Sequence, residues 1–122
     1  MKKTKILVVD DACFMRNLLG NTIREIGYSE IHFADSGSQA IERARTMKPD
    51  LITLDLSMPG MDGLEAMQKI LEVSSASKVI MVSAVTTQST MKQAMQNGAV
   101  DFIRKPFDKI EVEGKLKKYA VK

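Results

Sequence analysis

The sequence predicts an α/β fold in which helices cover both faces of a doubly wound parallel sheet. Five runs of strand length alternate with five segments of helical periodicity along the 122 residues. Such regular alternation is typical of parallel strands joined by helices. The runs 5–9, 51–54 and 78–82 consist largely of Ile, Leu, Val and Met, which is expected of strands buried between two helical layers.

In chain order, the first strand is predicted over 5–9 and the first helix over 13–26. Gly27 ends this helix, since glycine is a common helix terminator. The strand predicted over 30–34 alternates polar and apolar residues and is therefore expected at an edge of the sheet. The first helix carries an apolar stripe at helical spacing, formed by Met15, Leu18, Leu19, Ile23 and Ile26.

The later elements follow the same pattern. Asp35 or Ser36 can cap the second helix, and Pro49 ends it. Gly98 ends the fourth helix, whereas Gly114 lies inside the fifth and should weaken it. The predicted helices are 37–47, 63–73, 87–97 and 109–119, and the predicted strands between them are 51–54, 78–82 and 101–104.

The expected architecture is a three-layer α/β/α arrangement of five βα units, forming one domain over 1–122. We take the strand order 2-1-3-4-5 from the flavodoxin-like class of doubly wound folds, in which it is the common order. The first and third strands are then neighbours. The crevice beyond their carboxyl ends, at the point where the strand order reverses, is where such folds bind ligands.

Composition excludes several classes of protein. No apolar run is long enough to span a membrane, and the single cysteine, Cys13, permits no disulfide within the chain, so we expect a cytoplasmic protein. The net charge of +3 reflects lysines near both ends. No aromatic residues interleave with these lysines, so nucleic-acid binding is not favoured. We interpret Cys13 and His32 as structural residues.

Polar residues follow four of the apolar runs. Asp10 and Asp11 follow the first strand, Asp55 the third, Ser83 the fourth and Lys105 the fifth. Each acid alone could be a loop or cap residue. Their recurrence at strand ends that share one edge of the sheet instead predicts a common site.

The chemistry of this predicted site favours a cation. Two carboxylates about 4 Å apart repel by about 4 kcal/mol at an effective dielectric constant near 20. A cluster of three persists when a cation is bound or when one member is protonated. Oxygen ligands in a site open to solvent favour Mg²⁺.

Four motifs in order resemble the receiver domain of two-component response regulators over essentially the whole chain. They are Val-Val-Asp-Asp at 8–11, Asp-Leu-Ser-Met-Pro-Gly-Met-Asp-Gly at 55–63, Val-Ser-Ala at 82–84 and Asn-Gly-Ala-Val-Asp-Phe-Ile-Arg-Lys-Pro-Phe at 97–107. The segment 10–16 is also similar to the stand-alone chemotaxis regulators of the CheY type.

The resemblance implies that Asp55 accepts a phosphoryl group as an acyl phosphate. Mg²⁺ would be held by Asp10, Asp11, Asp55 and the backbone carbonyl of Ser57, with Asp10 acting directly or through water. The phosphoryl oxygens would be held by Lys105, the Ser83 hydroxyl and the backbone N–H groups of Ser57 and Ala84. The family also has an unusual cis peptide bond at the position of Lys105–Pro106.

The resemblance further implies a switch, in which Ser83 moves toward the phosphoryl group and the ring of Phe102 follows it inward. Phe102 lacks the hydroxyl of the tyrosine often found there, and it could equally be plain strand core. Met91 and Met95 lie one turn apart and could fill the core or, with Phe102, form a face for a partner. This face would comprise the fourth helix, fifth strand and fifth helix.

Ser57 and Val85 occupy the positions expected to tune dephosphorylation. Receivers often have an amide or acid at one of them, and Val85 cannot orient an attacking water molecule. We therefore expect phospho-Asp55 to hydrolyse more slowly in this protein than in a Val85→Glu or Val85→Gln variant.

The implied partners are a sensor histidine kinase of the CheA type, a flagellar motor switch protein or other protein target, and a phosphatase. The chain ends at residue 122, so we expect output through protein contacts from a monomer that catalyses only its own phosphorylation and dephosphorylation.

A phosphorelay intermediate would use the same site, and the sequence separates it poorly from a chemotaxis messenger. An aspartyl phosphatase of the haloacid dehalogenase type normally has a second Asp where this chain has Ser57. A flavodoxin would need a phosphate-binding loop where Asp10 and Asp11 stand.

Overall fold

The computed structural model describes residues 3–84 and 87–120. Its five parallel strands have the order β2-β1-β3-β4-β5, which confirms the predicted doubly wound flavodoxin-like topology. The elements are β1 (Lys5–Val9), α1 (Cys13–Ile26), β2 (Glu30–Ala34), α2 (Gly37–Met47), β3 (Leu51–Asp55), α3 (Gly63–Val73), β4 (Lys78–Ser83), α4 (Gln88–Gln96), β5 (Asp101–Arg104) and α5 (Lys109–Tyr119).

Two strands extend one residue beyond their predicted ends, and the extension matters for the site. Asp55 pairs with Val82 in the β3–β4 ladder, and Ser83 pairs with Arg104 in the β4–β5 ladder. Backbone pairing continues past the apolar run because it does not depend on side-chain polarity. Asp55 and Ser83 are therefore the last residues of strands and not the first residues of loops.

The sheet separates two hydrophobic clusters. One lies beneath α1 and α5, where Ile23 and Leu116 are fully buried. The other lies beneath α2, α3 and α4, where Met67 and Ile70 are fully buried. The apolar stripe predicted on α1 is wider than the buried face of this helix, because Leu18 is 41% exposed. Helices thus protect both faces and leave the carboxyl edge of the sheet for polar chemistry.

Side chains at helix starts and glycines at helix ends bound the helices where the sequence indicates. Ser36 caps α2, with its side chain accepting a hydrogen bond from the N–H of Gln39. Gly27 ends α1 with φ of 129°, and Gly98 follows α4 with φ of 120°, a region that favours glycine. The edge position predicted for β2 is confirmed. No helix in the described ranges is long and apolar enough to cross a membrane.

Gly63, the first residue of α3, fixes the approach of this helix to the end of β3. A Cβ atom at this position would lie 2.6 Å from the carbonyl oxygen of Asp55 and 2.7 Å from Cα of Leu56. The N–H of Gly63 also donates to the carbonyl of Leu56 at 2.8 Å. Only a residue without a side chain allows this contact between two backbones.

Alanine substitutions at two helical glycines should have opposite effects. Gly63→Ala should lower the free energy of unfolding by about 1–3 kcal/mol, because its Cβ overlaps rigid backbone. Gly114→Ala should raise it by about 0.5–1 kcal/mol, because this position is a helix interior where no described atom would lie within 4 Å of the new Cβ. Urea unfolding measures both. A Gly63→Ala protein as stable as the parent would contradict the account of this contact.

Candidate metal and phosphate site at the carboxyl edge of the sheet

Three carboxylates converge where β1 and β3 end side by side. One oxygen from each of Asp10, Asp11 and Asp55 lies within 4.8 Å of the others. Asp10 and Asp55 are buried and Asp11 is exposed, so the cluster is open on one side. The set offers oxygen ligands only, which fits Mg²⁺, an ion that binds through a few carboxylates and retains water.

Backbone hydrogen bonds hold Asp10 in place. Its N–H donates to the carbonyl of Ala34 at 3.2 Å, and its carboxylate accepts from the N–H of Ala12 at 2.9 Å. Its carbonyl accepts from Nη1 of Arg16 at 2.7 Å. The sequence predictions did not include Arg16. A side chain in the first turn of a helix extends back toward the N-terminus, and that direction could have identified it.

Lys105 is the counterion of the cluster. Its Nζ lies 2.9 Å from Oδ2 of Asp10 and 3.6 Å from Oδ1 of Asp55, and its side chain is 16% exposed. Its N–H donates to the carbonyl of Ser83 at 2.9 Å, and its bond to Pro106 is cis, as expected from the resemblance. The ammonium group is thus held within reach of the predicted acceptor.

The environment of Asp55 disfavours its charged form. Burial is the main cause that raises the pKa of this carboxyl above its ordinary value. Lys105 acts in the opposite direction, Asp10 and Asp11 raise the pKa further, and the N–H of Ser57 lowers it. That N–H donates to Oδ1 of Asp55 at 3.3 Å. A divalent cation beside these groups would favour the ionised carboxylate.

The structure also locates the residues predicted to hold the phosphoryl group. Ser83 is buried at the end of β4, and Ala84 follows it at the surface. Ser57 is exposed two residues after Asp55. Val85 lies outside the described residues, so its influence on hydrolysis stays a prediction, as do the roles assigned to the other residues.

The predicted partner face contains a cavity of about 330 Å³ beside Phe102 and Met91. Phe102 is 7% exposed, whereas Met91 is 36% and Met95 47% exposed. The two methionines are therefore surface residues and do not fill the core. Burial of the Phe102 ring agrees both with a strand-core residue and with an inward switch position.

Asp101, the residue before Phe102, joins β5 to α5 and was not singled out in the sequence. Its carboxylate accepts from Nζ of Lys115 at 2.7 Å, from the hydroxyl of Tyr119 at 2.9 Å and from the N–H of Phe102 at 2.8 Å. Burial is the largest single influence on the pKa of Asp101, and it raises this pKa. The hydrogen bonds from Lys115, Phe102 and Tyr119 outweigh it and hold the pKa of Asp101 below its ordinary value.

The comparisons with known proteins agree with this geometry. Residues 6–117 match the family described as the response regulator receiver domain. A chemotaxis protein CheY from Listeria monocytogenes is 41% identical over 116 residues, covering 95% of this chain and 98% of the relative. A CheY from Thermotoga maritima is 39% identical over 116 residues, covering 95% and 97%.

A chain in the crystal structure of the CheX–CheY–BeF₃–Mg²⁺ complex from Borrelia burgdorferi superimposes with a TM-score of 0.91. It has 31% sequence identity and covers 98% of this chain and 90% of the other. The chain belongs to the response regulator receiver domain family and is similar to the chemotaxis regulators of the CheY type. It is therefore a two-component signalling protein, and the resemblance found in its motifs is confirmed.

Mg²⁺ should stabilise the folded protein through the acidic cluster. At a free Mg²⁺ concentration of 100 times Kd, the free energy of unfolding should rise by about 2.7 kcal/mol. Asp11→Asn should lose most of this gain because it removes one ligand, whereas Glu72→Gln, an exposed acid on α3, should retain it. Urea unfolding with Mg²⁺ and with EDTA measures the difference. An equal Mg²⁺ effect in Asp11→Asn and parent would exclude a role for Asp11.

Asp101→Asn should reduce stability in a pH-dependent manner. The pKa of Asp101 is lower in the folded than in the unfolded state, so its contribution is present above the ordinary value of 3.8. That contribution is lost as the pH falls through the lower folded value. At pH 7 we expect Asp101→Asn to lower the free energy of unfolding by about 1 kcal/mol, since the ion pair of Asp101 and Lys115 is partly exposed.

Unfolding in urea between pH 7 and pH 3 tests this expectation. The stability difference between parent and Asp101→Asn should shrink below about pH 4. Asp35→Asn, which alters an exposed carboxyl, is the control. A difference that is constant across this range would show that ionisation of Asp101 contributes nothing.

Proposed function

We propose that this protein is a Mg²⁺-dependent phosphoacceptor switch in which Asp55 takes a phosphoryl group from a phosphohistidine of a sensor histidine kinase. The observation that most strongly supports this function is the position of Asp55. It is a buried carboxylate at a strand end, clustered with Asp10 and Asp11 and 3.6 Å from the ammonium of Lys105. Membership of the receiver family supports the same reaction.

In the proposed transfer, a carboxylate oxygen of Asp55 forms a bond to phosphorus while the bond from phosphorus to the kinase histidine breaks, and the imidazole leaves. Asp10, Asp11, Asp55 and the Ser57 carbonyl would hold Mg²⁺, whose chemistry is to offset charge on the acceptor and phosphoryl oxygens. The bonds to Asp10 keep the cluster in place, so little reorganisation is needed at the moment of transfer.

Lys105 is the residue whose partner changes. Its ammonium pairs with Asp10 at 2.9 Å, and a phosphoryl group on Asp55 would offer it oxygens with greater negative charge. A compact, mobile ammonium suits this exchange. The N–H of Ser57 already donates to the acceptor carboxylate. The N–H of Ala84 would complete the set of donors.

Ser83 would report phosphorylation through a hydrogen bond from its hydroxyl to the phosphoryl group, with Phe102 packing behind it. Shifting a two-state equilibrium from 1:99 to 99:1 requires about 5.5 kcal/mol. One charge-assisted hydrogen bond supplies about 1.5–3 kcal/mol. Lys105 and a bound partner must therefore contribute, so phosphorylation and partner binding are mutually reinforcing.

The output we propose is chemotaxis, with a flagellar motor switch protein as target and a CheA-type kinase as donor. The curated relatives named CheY support this pathway. The exposed Met91 and Met95 and the cavity beside Phe102 support the predicted partner face, because methionine adapts to varied apolar partners. We further propose a monomeric, cytoplasmic protein that forms a single domain over 1–122 and does not bind nucleic acid.

A phosphatase partner completes the proposed cycle. The Borrelia burgdorferi relative was crystallised with CheX, which supports a protein partner for this chain as well. A phosphorelay intermediate would use the same site, and binding to a motor switch protein rather than to a histidine phosphotransferase distinguishes the two.

Acetyl phosphate and Mg²⁺ should add one phosphoryl group to the parent protein, as measured by intact mass. Asp55→Asn should gain none, because the amide cannot form an acyl phosphate. Asp35→Asn is the matched control and should be modified like the parent. Equal modification of Asp55→Asn would place the acceptor elsewhere, and an unmodified parent would overturn the proposed function.

A further inference from the structure

A second cavity lies at the opposite end of the sheet from the predicted partner face. It has a volume of about 380 Å³ and follows the outer edge of β2, between Arg16 on α1 and the side chains of Gln39 and Arg43 on α2. None of the residues assigned to phosphorylation or to the predicted partner face lines it. Five consecutive residues, 31–35, line it, so it suits an extended chain better than a compact ligand.

The edge of β2 is open over its central residues. The carbonyl of Ala34 accepts from Asp10 and so points toward β1. Because backbone groups alternate in direction along a strand, the N–H and C=O groups of Ile31 and Phe33 point away from β1. The described ranges contain no strand beyond β2. The N–H of Asp35 is already bonded to the side chain of Gln39 at 2.7 Å, so the free stretch ends there.

Two arginines and one acid, Asp35, line the second cavity, so its net charge is positive, and the arginines lie on opposite faces of the sheet. Ile31 and Phe33 pack with the cluster beneath α1 and α5, whereas Ala34 belongs to the cluster beneath α2. Arg16 therefore borders one face of the edge and Arg43 the other. Arg16 donates one N–H to Asp10 and has further donors. The guanidinium of Arg43 forms no ion pair or hydrogen bond within residues 3–84 and 87–120, whereas its backbone carbonyl accepts from the hydroxyl of Thr46.

We propose that the edge of β2 binds an extended acidic segment of a partner protein as an added strand, with two consecutive acidic residues. Successive side chains of a strand point to opposite faces. One acid would thus reach Arg16 and the next Arg43, while the backbone pairs with Ile31 and Phe33. A carboxylate and a guanidinium form strong, directional hydrogen bonds.

A second copy of this chain does not fit the same edge. β2 runs over Glu30–Ala34 and contains a single acid, so pairing β2 with β2 would bring the arginines of both copies together. The second cavity is also connected to the acidic cluster, since Asp10 forms hydrogen bonds with Ala34 and Arg16, which both line this cavity. A bound segment would therefore lie beside the residue that fixes the metal cluster.

The probe is the peptide acetyl-Thr-Val-Glu-Glu-Val-Thr-amide, titrated into the unphosphorylated 122-residue protein in low salt and followed by NMR. The amide signals of Ile31 and Phe33 should shift. Arg43→Gln should weaken binding about fivefold, the scale of one exposed charge pair. Arg45→Gln removes the same charge from the same helix outside the second cavity and should change binding less than about twofold.

Two further peptides test the geometry. Acetyl-Thr-Glu-Val-Glu-Val-Thr-amide, with both acids on one face, should bind about threefold more weakly or worse. Acetyl-Thr-Val-Glu-Glu-Pro-Thr-amide, which lacks one N–H, should also bind more weakly. Equal binding of all three peptides, equal losses in Arg43→Gln and Arg45→Gln, or shifts centred on Lys105 or Phe102 would each overturn the proposal. The result does not depend on Asp55 accepting a phosphoryl group.

Discussion

The crowding of carboxylates at the carboxyl edge of the sheet is the constraint on which the rest of the structure depends. Asp10 and Asp55 are buried at neighbouring strand ends, with Asp11 beside them. Burial and like charge both disfavour this arrangement, and Lys105 is the ammonium within the described structure that offsets it. The cluster is thus held in a state that a divalent cation or a phosphoryl group can rearrange.

The fold keeps this costly arrangement in place through backbone contacts. Asp10 donates to the carbonyl of Ala34 and accepts from the N–H of Ala12 and the guanidinium of Arg16. Gly63 lets α3 pack directly against the carbonyl of Asp55. The N–H of Lys105 bonds to the carbonyl of Ser83, which ties the last strand to the fourth. The described contacts thus tie the acidic cluster to the ends of β1, β3 and β4.

Two surfaces lie on opposite sides of this cluster. On one side, Asp101 fastens β5 to α5 next to the buried Phe102 and its cavity. On the other, the edge of β2 connects to Asp10 through Ala34 and Arg16. The second route begins at Asp10 itself, and the first lies on β5, the strand that leads to Lys105, the partner of Asp10 and Asp55. A single change of charge at Asp55 is therefore in a position to alter both surfaces.

The sequence by itself determined the elements, the layer architecture and the polar residues at the strand ends. These features follow from hydrophobic periodicity, helix caps and residue order, all of which are local. Tertiary structure alone decided that Asp55 and Ser83 end strands, that Leu18 and both methionines of α4 are exposed, and that Arg16 reaches Asp10. These outcomes depend on contacts between segments far apart in the chain, such as the network of Asp101, and residue spacing does not encode such contacts.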